Sequence, residues 1–282
     1  MENLPLLILP FFACIILASI HCYMGLHIVK RGVIFVDLAL AQCAALGTSI
    51  GLLKGYEPTS FHAYAFSLLF TFLGAALFSV GRFKDDVVPH EAIIGIVYVV
   101  SSAVSVLVLD RSPHGLDEMK TMLVGNILFV TWQDILELFG LYLILGIMCF
   151  IFHKRFWNIS ISSTEIEKTG NRRRLWDFIF YSIFGIMVTR SVRIAGVLLI
   201  FSFLVIPAVC SLFFARKFSI GMIFSWGFAL LASSLGLYSS GKFDMPTGAA
   251  LVASFGIILI CCSLLRFFIK RNSNLLIKDN TI

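Results

Sequence analysis

Asp37 is the residue of this 282-residue chain best placed to do chemistry, because it is a carboxylate set inside an apolar run, Gly32-Val33-Ile34-Phe35-Val36-Asp37-Leu38-Ala39-Leu40-Ala41-Gln42. If that run crosses hydrocarbon, a charge there is costly enough to mark an ion path by default. Arg31 lies only about 8 Å away along a helix. Pairing with Arg31, or snorkelling to an interface, therefore stands beside the reading that Asp37 lines a cation path. Asp37, Ala41, Ala44 and Thr48 recur at helical spacing on one face. Gly47, Gly51 and Gly55 make two overlapping G-x-x-x-G units, which allow a second helix to approach closely. Both patterns place this helix in the interior of a bundle.

Other candidate ligands are scattered. Gln42 offers an amide, but it lies roughly 140° around the helix from Asp37. Pro89-His90-Glu91-Ala92 places an imidazole and a carboxylate at a helix N-terminus, where Glu91 serves as a dipole partner or the pair serves as a ligand or gate. His21, His27 and His62 stand singly and read as packed or interfacial side chains. The seven cysteines lie in apolar stretches without a Cys-x-x-Cys pair and read as buried thiols. Neither a G-x-x-x-x-G-K-[ST] phosphate loop nor an H-E-x-x-H or G-x-S-x-G motif occurs, so neither nucleotide hydrolysis nor peptidase chemistry is supported.

The elements that must hold these residues are set by composition. The chain is 59% hydrophobic and only 13% charged, with a mean hydropathy of +0.95, whereas soluble domains carry about a quarter charged residues. Apolar runs long enough for ~30 Å of hydrocarbon fall at 4–26, 33–53, 61–80, 89–109, 134–152, 175–191, 194–214, 219–240 and 247–269. The sixth and seventh are nearly contiguous, which leaves the count at eight or nine. The fold class is therefore all-α, a polytopic transmembrane helix bundle. It reads as one domain over 1–270 with a cytoplasmic tail at 271–282.

Basic residues give the bundle a direction. With an external N-terminus, 16 of the 22 Lys and Arg face the cytoplasm, among them Lys30, Arg31, Lys154, Arg155 and Arg172 to Arg174. The six left outside are Lys54, Arg111, Lys120, Arg190, Arg193 and Lys242. The C-terminus then lies inside. The net charge of +6 is a topology signal, and no nucleic-acid partner is implied. The triplet Arg172 to Arg174 anchors topology, docks a cytoplasmic partner, or does both. From the residues alone the chain is a multispan carrier, channel or membrane enzyme.

Five segments then resemble the zinc/manganese/iron permease family of ABC importers. They are Arg31 to Gln42, Glu91-Ala92-Ile93-Ile94-Gly95-Ile96, and Leu123-Val124-Gly125-Asn126-Ile127-Leu128 with Asp134. Gly196 to Leu199 running on to Ile206-Pro207-Ala208, and Asp244-Met245-Pro246-Thr247-Gly248, complete the set. The resemblance covers about Gly25 to Ile260 and implies a type II importer-like permease in the bacterial cytoplasmic membrane. It implies two permease copies around one path, cytoplasmic P-loop ATPase subunits that use the ATP, and an extracytoplasmic metal-binding protein. The cargo would be a divalent cation (Mn, Zn or Fe), with no stably bound cofactor and no catalysis on this chain. Asp37 would stand on the path, with His90, Glu91 and Gln42 as further metal candidates. The segment 155–175 would couple to the ATPase, with Glu165 and Gly170 its candidate contacts. The family pattern has a His four residues after the Asp, and here that position is Ala41. The stretch Ser163 to Gly170 keeps the location of the coupling segment but little of its acidic, alanine-rich pattern. Fewer imidazoles favour manganese or iron over zinc. The alternatives are a siderophore or cobalamin permease, a secondary transporter, which would need internal repeats, and an intramembrane enzyme.

Overall fold

The computed structural model describes residues 4–58, 60–81, 89–111, 125–161 and 170–279. The regular elements are α1 (Leu4–Arg31), α2 (Val36–Leu53), α3 (Phe61–Val80), α4 (His90–Leu109), a 3-10 turn (Ile127–Phe129), α5 (Trp132–Ile161), α6 (Gly170–Ala195), α7 (Val197–Phe214), α8 (Phe218–Phe243) and α9 (Thr247–Asp279). Nine helices among the described residues are long and apolar enough to cross a membrane. The sixth and seventh are separate because the chain breaks at Gly196, whose φ of +78° only glycine adopts without strain. At 18 residues, α7 rises about 27 Å, close to the hydrocarbon thickness.

Burial sorts the helices. α2 is the hub of the first half, packed against α3, α4 and α6, while α1 packs with α7 and α8 in the second half and with α5, and α9 packs on α7 and α8. Two-thirds of α2 is buried, against about a fifth of α4. Along α4, Ser101 and Ser105 turn inward while Ile96, Val99, Val100 and Leu107 turn outward. This inverts the water-soluble pattern, because lipid is the solvent for the outer face. Six cysteines are buried free thiols, and Cys261 is exposed.

The way helix ends meet fixes their alternation. The C-terminal ends of α1, α3 and α5 gather at the start of α6: Arg31 contacts Asp177 and Ser160, and Ser79 donates to the Arg174 carbonyl. At the opposite end Arg190 pairs with Glu137 at the start of α5, and Arg193 donates to the Pro58 carbonyl between α2 and α3. The first cluster lies on the side that carries the excess of Lys and Arg.

Close approaches explain two of the sequence patterns. A Cβ on Gly47 would lie 2.3 Å from the Phe66 carbonyl oxygen and on Gly51 3.2 Å from Ala63 Cα, so both glycines carry the α2–α3 contact. Gly55 lies past the end of α2 at φ +85° and serves the turn instead. Gly125, at φ +69°, rests on the α6–α7 break, where a Cβ would come within 2.2 Å of the Ala195 backbone; Asn126 donates its amide to the Ile194 carbonyl there.

Gly47→Ala is expected to cost about 1–3 kcal/mol through overpacking and to lower the melting temperature of the detergent-solubilised protein. Gly95→Ala, whose added Cβ would meet nothing within 4 Å, is the matched control and should leave the melting temperature unchanged or raise it.

Candidate functional site

α2 begins one turn-like segment after α1. The chain leaves α1 at Arg31, reverses through Gly32 at φ +68° and re-enters a helix at Val36, so Asp37 sits in the first helical turn and not in mid-span. Helix N-termini carry partial positive charge and favour an anion. The Asp37 side chain is 2% exposed, and its Oδ1 has no hydrogen-bond partner.

Arg31 is not that partner. It is held by Asp177 on α6 at 2.8 Å, donates to Ser160 Oγ on α5 at 3.0 Å, and stacks 3.8 Å above the Phe180 ring. This ion pair ties α1, α5 and α6 together inside the bundle. Asp177 escaped the sequence reading; the available signal was a second carboxylate just inside the sixth apolar run. Glu91, in the first turn of α4, accepts from the Phe35 amide at 3.2 Å and so caps the entry to α2 rather than its own helix. His90 packs beside Tyr181, with Nε2 and the phenol oxygen 3.4 Å apart.

A cavity of about 220 Å³ opens between α2, α4 and α6, with Ser67 of α3 and Val197 of α7 completing the wall. Ala41, Ala44 and Thr48 line it, as do Gln42 and Ser49. Ala41 lies one turn, about 6 Å, beyond Asp37. Ser105 from α4 and Thr189 from α6 face the same space. These hydroxyls were not singled out in the sequence, although Ser101, Ser102 and Ser105 interrupt an apolar helix at helical spacing. Among the described residues no three His, Cys, Asp or Glu stand together as a metal cluster. The structure thus places Asp37 and Glu91 at the entry of α2, Gln42 on the cavity wall and His90 against α6. His21 and His27 are fully buried, and His27 meets Ser160 Oγ at 2.9 Å. Glu165 lies outside the described residues, and Gly170 opens α6.

The family model for the ABC 3 transport family matches residues 3–266. The chain belongs to that family. The match spans the helices that form the Asp37 entry and the cavity. Among relatives, the manganese transport system membrane protein MntC of Listeria innocua is 21% identical over 235 residues, covering 81% of this chain and 79% of its own length. MntB, a manganese transport system membrane protein of Synechocystis, is 25% identical over 184 residues, or 65% of this chain and 60% of its own. The solved structure of PsaBC from Streptococcus pneumoniae in complex with Fab shares the fold, with a TM-score of 0.75 at 19% identity over 93% of this chain and 92% of that one. A member of the ABC 3 transport family with these apolar helices is a multi-pass protein of the bacterial cytoplasmic membrane.

The buried Arg31–Asp177 pair gives a direct test of how this family member holds its cytoplasmic end together. Asp177→Leu should destabilise the protein by about 3–5 kcal/mol, because it strands the guanidinium. The double variant Arg31→Met with Asp177→Leu should recover most of that loss. Thermal unfolding followed by size-exclusion chromatography checks both.

Proposed function

We propose that this chain is the membrane-spanning permease subunit of an ATP-driven importer, moving a divalent metal cation (manganese, iron or zinc) into the cytoplasm. The observation that carries the reading is the α2 entry: a buried carboxyl group with an unpartnered oxygen, one turn from a cavity whose wall includes Gln42, Thr48, Ser49, Ser105 and Thr189. Membership of the ABC 3 transport family and likeness to manganese permeases support it. A bulky organic chelate would need more room than about 220 Å³, which favours the bare or hydrated ion over a siderophore.

In this reading two copies of the chain flank one path and rest on cytoplasmic P-loop ATPase subunits. An extracytoplasmic binding protein delivers the ion at the Arg190 and Arg193 end. The chain carries no hydrolysis of its own; ATP-driven closure of the partner subunits reorients the path. Asp37 supplies the carboxyl group that, ionised beside the cation, would offset its desolvation near the inner end. Glu91 orients the α2 entry through the Phe35 amide. The connection between α5 and α6, including Glu165 and Gly170, is the surface assigned to ATPase coupling.

Reconstitution of the permease with its ATPase and delivery protein, followed by ATP-dependent uptake of manganese, zinc and iron, tests this assignment. Asp37→Ala should reduce uptake at least about tenfold, equivalent to ~1.4 kcal/mol of lost cation stabilisation, while assembly with the ATPase persists. Normal uptake by this variant would remove Asp37 from the path, and movement of no divalent metal would contradict the function.

A further inference from the structure

A groove far from the α2 cavity opens on the outer surface of the bundle. α5 and α8 both pack on α1, which forms its floor, and between them lies a space of about 540 Å³. That volume is in the range of small-molecule sites. The groove runs from Gly146 on α5 and Trp226 on α8 to His153 and Phe218 at the cytoplasmic end. Trp226 and Phe218 are separated by about 12 Å of helix. At that end the Phe218 ring meets those of Trp157 and His153, at 4.6 and 5.1 Å. The outward side stays open, with Phe150 85% exposed and Ile223 68%.

The polar ends of the aromatic side chains in the groove are turned to the protein. Trp226 Nε1 donates to the Ser19 carbonyl at 3.1 Å, and the Ser19 hydroxyl donates to the Ile16 carbonyl. The Tyr23 hydroxyl lies 3.0 Å from His153 Nδ1 and 3.4 Å from the Cys149 carbonyl. What faces outward is mainly hydrocarbon and ring surface, a match for an acyl chain.

The cytoplasmic mouth has the opposite character. The flanking apolar runs end at residue 152 and resume at residue 219, so the mouth lies at headgroup depth. Lys154 directly follows His153, and Arg216 and Lys217 directly precede Phe218; all three are exposed. Among the described residues none of the three enters a salt bridge, whereas the neighbouring Arg155 lies over the Trp176 ring at 4.6 Å. α8 begins at the same point, and its N-terminal dipole adds to the positive field. Basic residues at this depth attract the anionic lipids of the cytoplasmic leaflet.

An apolar slot beneath a cationic mouth is complementary to a phospholipid with an anionic headgroup. We propose that the groove between α1, α5 and α8 binds one anionic phospholipid of the cytoplasmic leaflet. Its acyl chain lies along Tyr23 and Trp226, and its phosphate meets Lys154, Arg216 and Lys217. Lipid that merely surrounds a helix bundle does so without regard to headgroup, whereas this site selects for negative charge.

Quenching of Trp226 tests the assignment. The full-length chain is reconstituted in vesicles of phosphatidylethanolamine and phosphatidylglycerol, with brominated acyl chains, which quench tryptophan on contact, on one lipid at a time. The difference between the wild type and Trp226→Phe isolates the Trp226 signal. Phosphatidylglycerol is expected to be preferred at least about fivefold, the worth of one Lys or Arg at an anionic surface (~1 kcal/mol). The triple variant Lys154→Gln, Arg216→Gln and Lys217→Gln should bring the two lipids to parity. A Cβ on Gly146 meets only Ile20, at 3.8 Å, so Gly146→Phe should fill the groove and weaken quenching by both lipids. Gly140→Phe, on the same helix but outside the groove, should not. Equal quenching by both lipids in the wild type, a preference that the triple variant keeps, or quenching that Gly146→Phe leaves unchanged overturns the site. Absence of quenching by either lipid also overturns it, and points to a second copy of the chain covering the groove.

Discussion

Hydrocarbon offers no hydrogen bonds, and much of this structure is arranged around that fact. A polar group inside the bundle must find its partner in the protein or lose several kcal/mol. Serines and threonines accordingly turn their protons back onto helix carbonyls, as Thr48, Ser49, Ser105, Ser191 and Ser233 all do four residues back. Arg31 is held from three sides by Asp177, Ser160 and the Phe180 ring.

α2 is where the constraint is concentrated. Its small residues allow α3 to come within contact of its backbone at Gly47 and Gly51. The turn that precedes it is pinned at both ends, at Arg31 by α5 and α6 and at the Phe35 amide by Glu91 of α4. Asp37 follows two residues later. The carboxylate is therefore placed by three other helices, and Ser160 and Asp177, which hold Arg31, flank the connection assigned to ATPase coupling. In the proposed importer, that geometry would give a short mechanical route between the cytoplasmic face and the path.

Much of the fold was legible because bilayer thickness sets helix length. The third and fourth apolar runs, 61–80 and 89–109, coincide with α3 and α4 to within a residue. α5 and α6 extend well beyond the runs at 134–152 and 175–191, since a helix continues past the hydrocarbon once its residues turn amphipathic. The small face of α2 was readable from Ala41, Ala44 and Thr48, and all three line the cavity. The site was less legible wherever it depended on helices distant in sequence. Arg31 finds Asp177 across 146 positions, and nothing local distinguishes that partner from the nearer Asp37. Glu91 could be read as a dipole partner for α4, but only packing reveals that its acceptor serves α2. The hydroxyls of α4 and α6 become a cavity wall only when both helices are laid against α2.

The central claim is that the α2 face from Ala41 to Thr48 borders the route of the ion. Ala41→Cys, Ala45→Cys and Thr48→Cys, introduced singly into a cysteine-free background and assayed in the complete transporter, address it most directly. The rate of modification by a small cationic thiol reagent is measured with and without manganese. The account predicts that all three react and that manganese slows the reaction, while Gly95→Cys shows no such protection. Three unreactive cysteines, or reaction that manganese leaves unchanged, would contradict it.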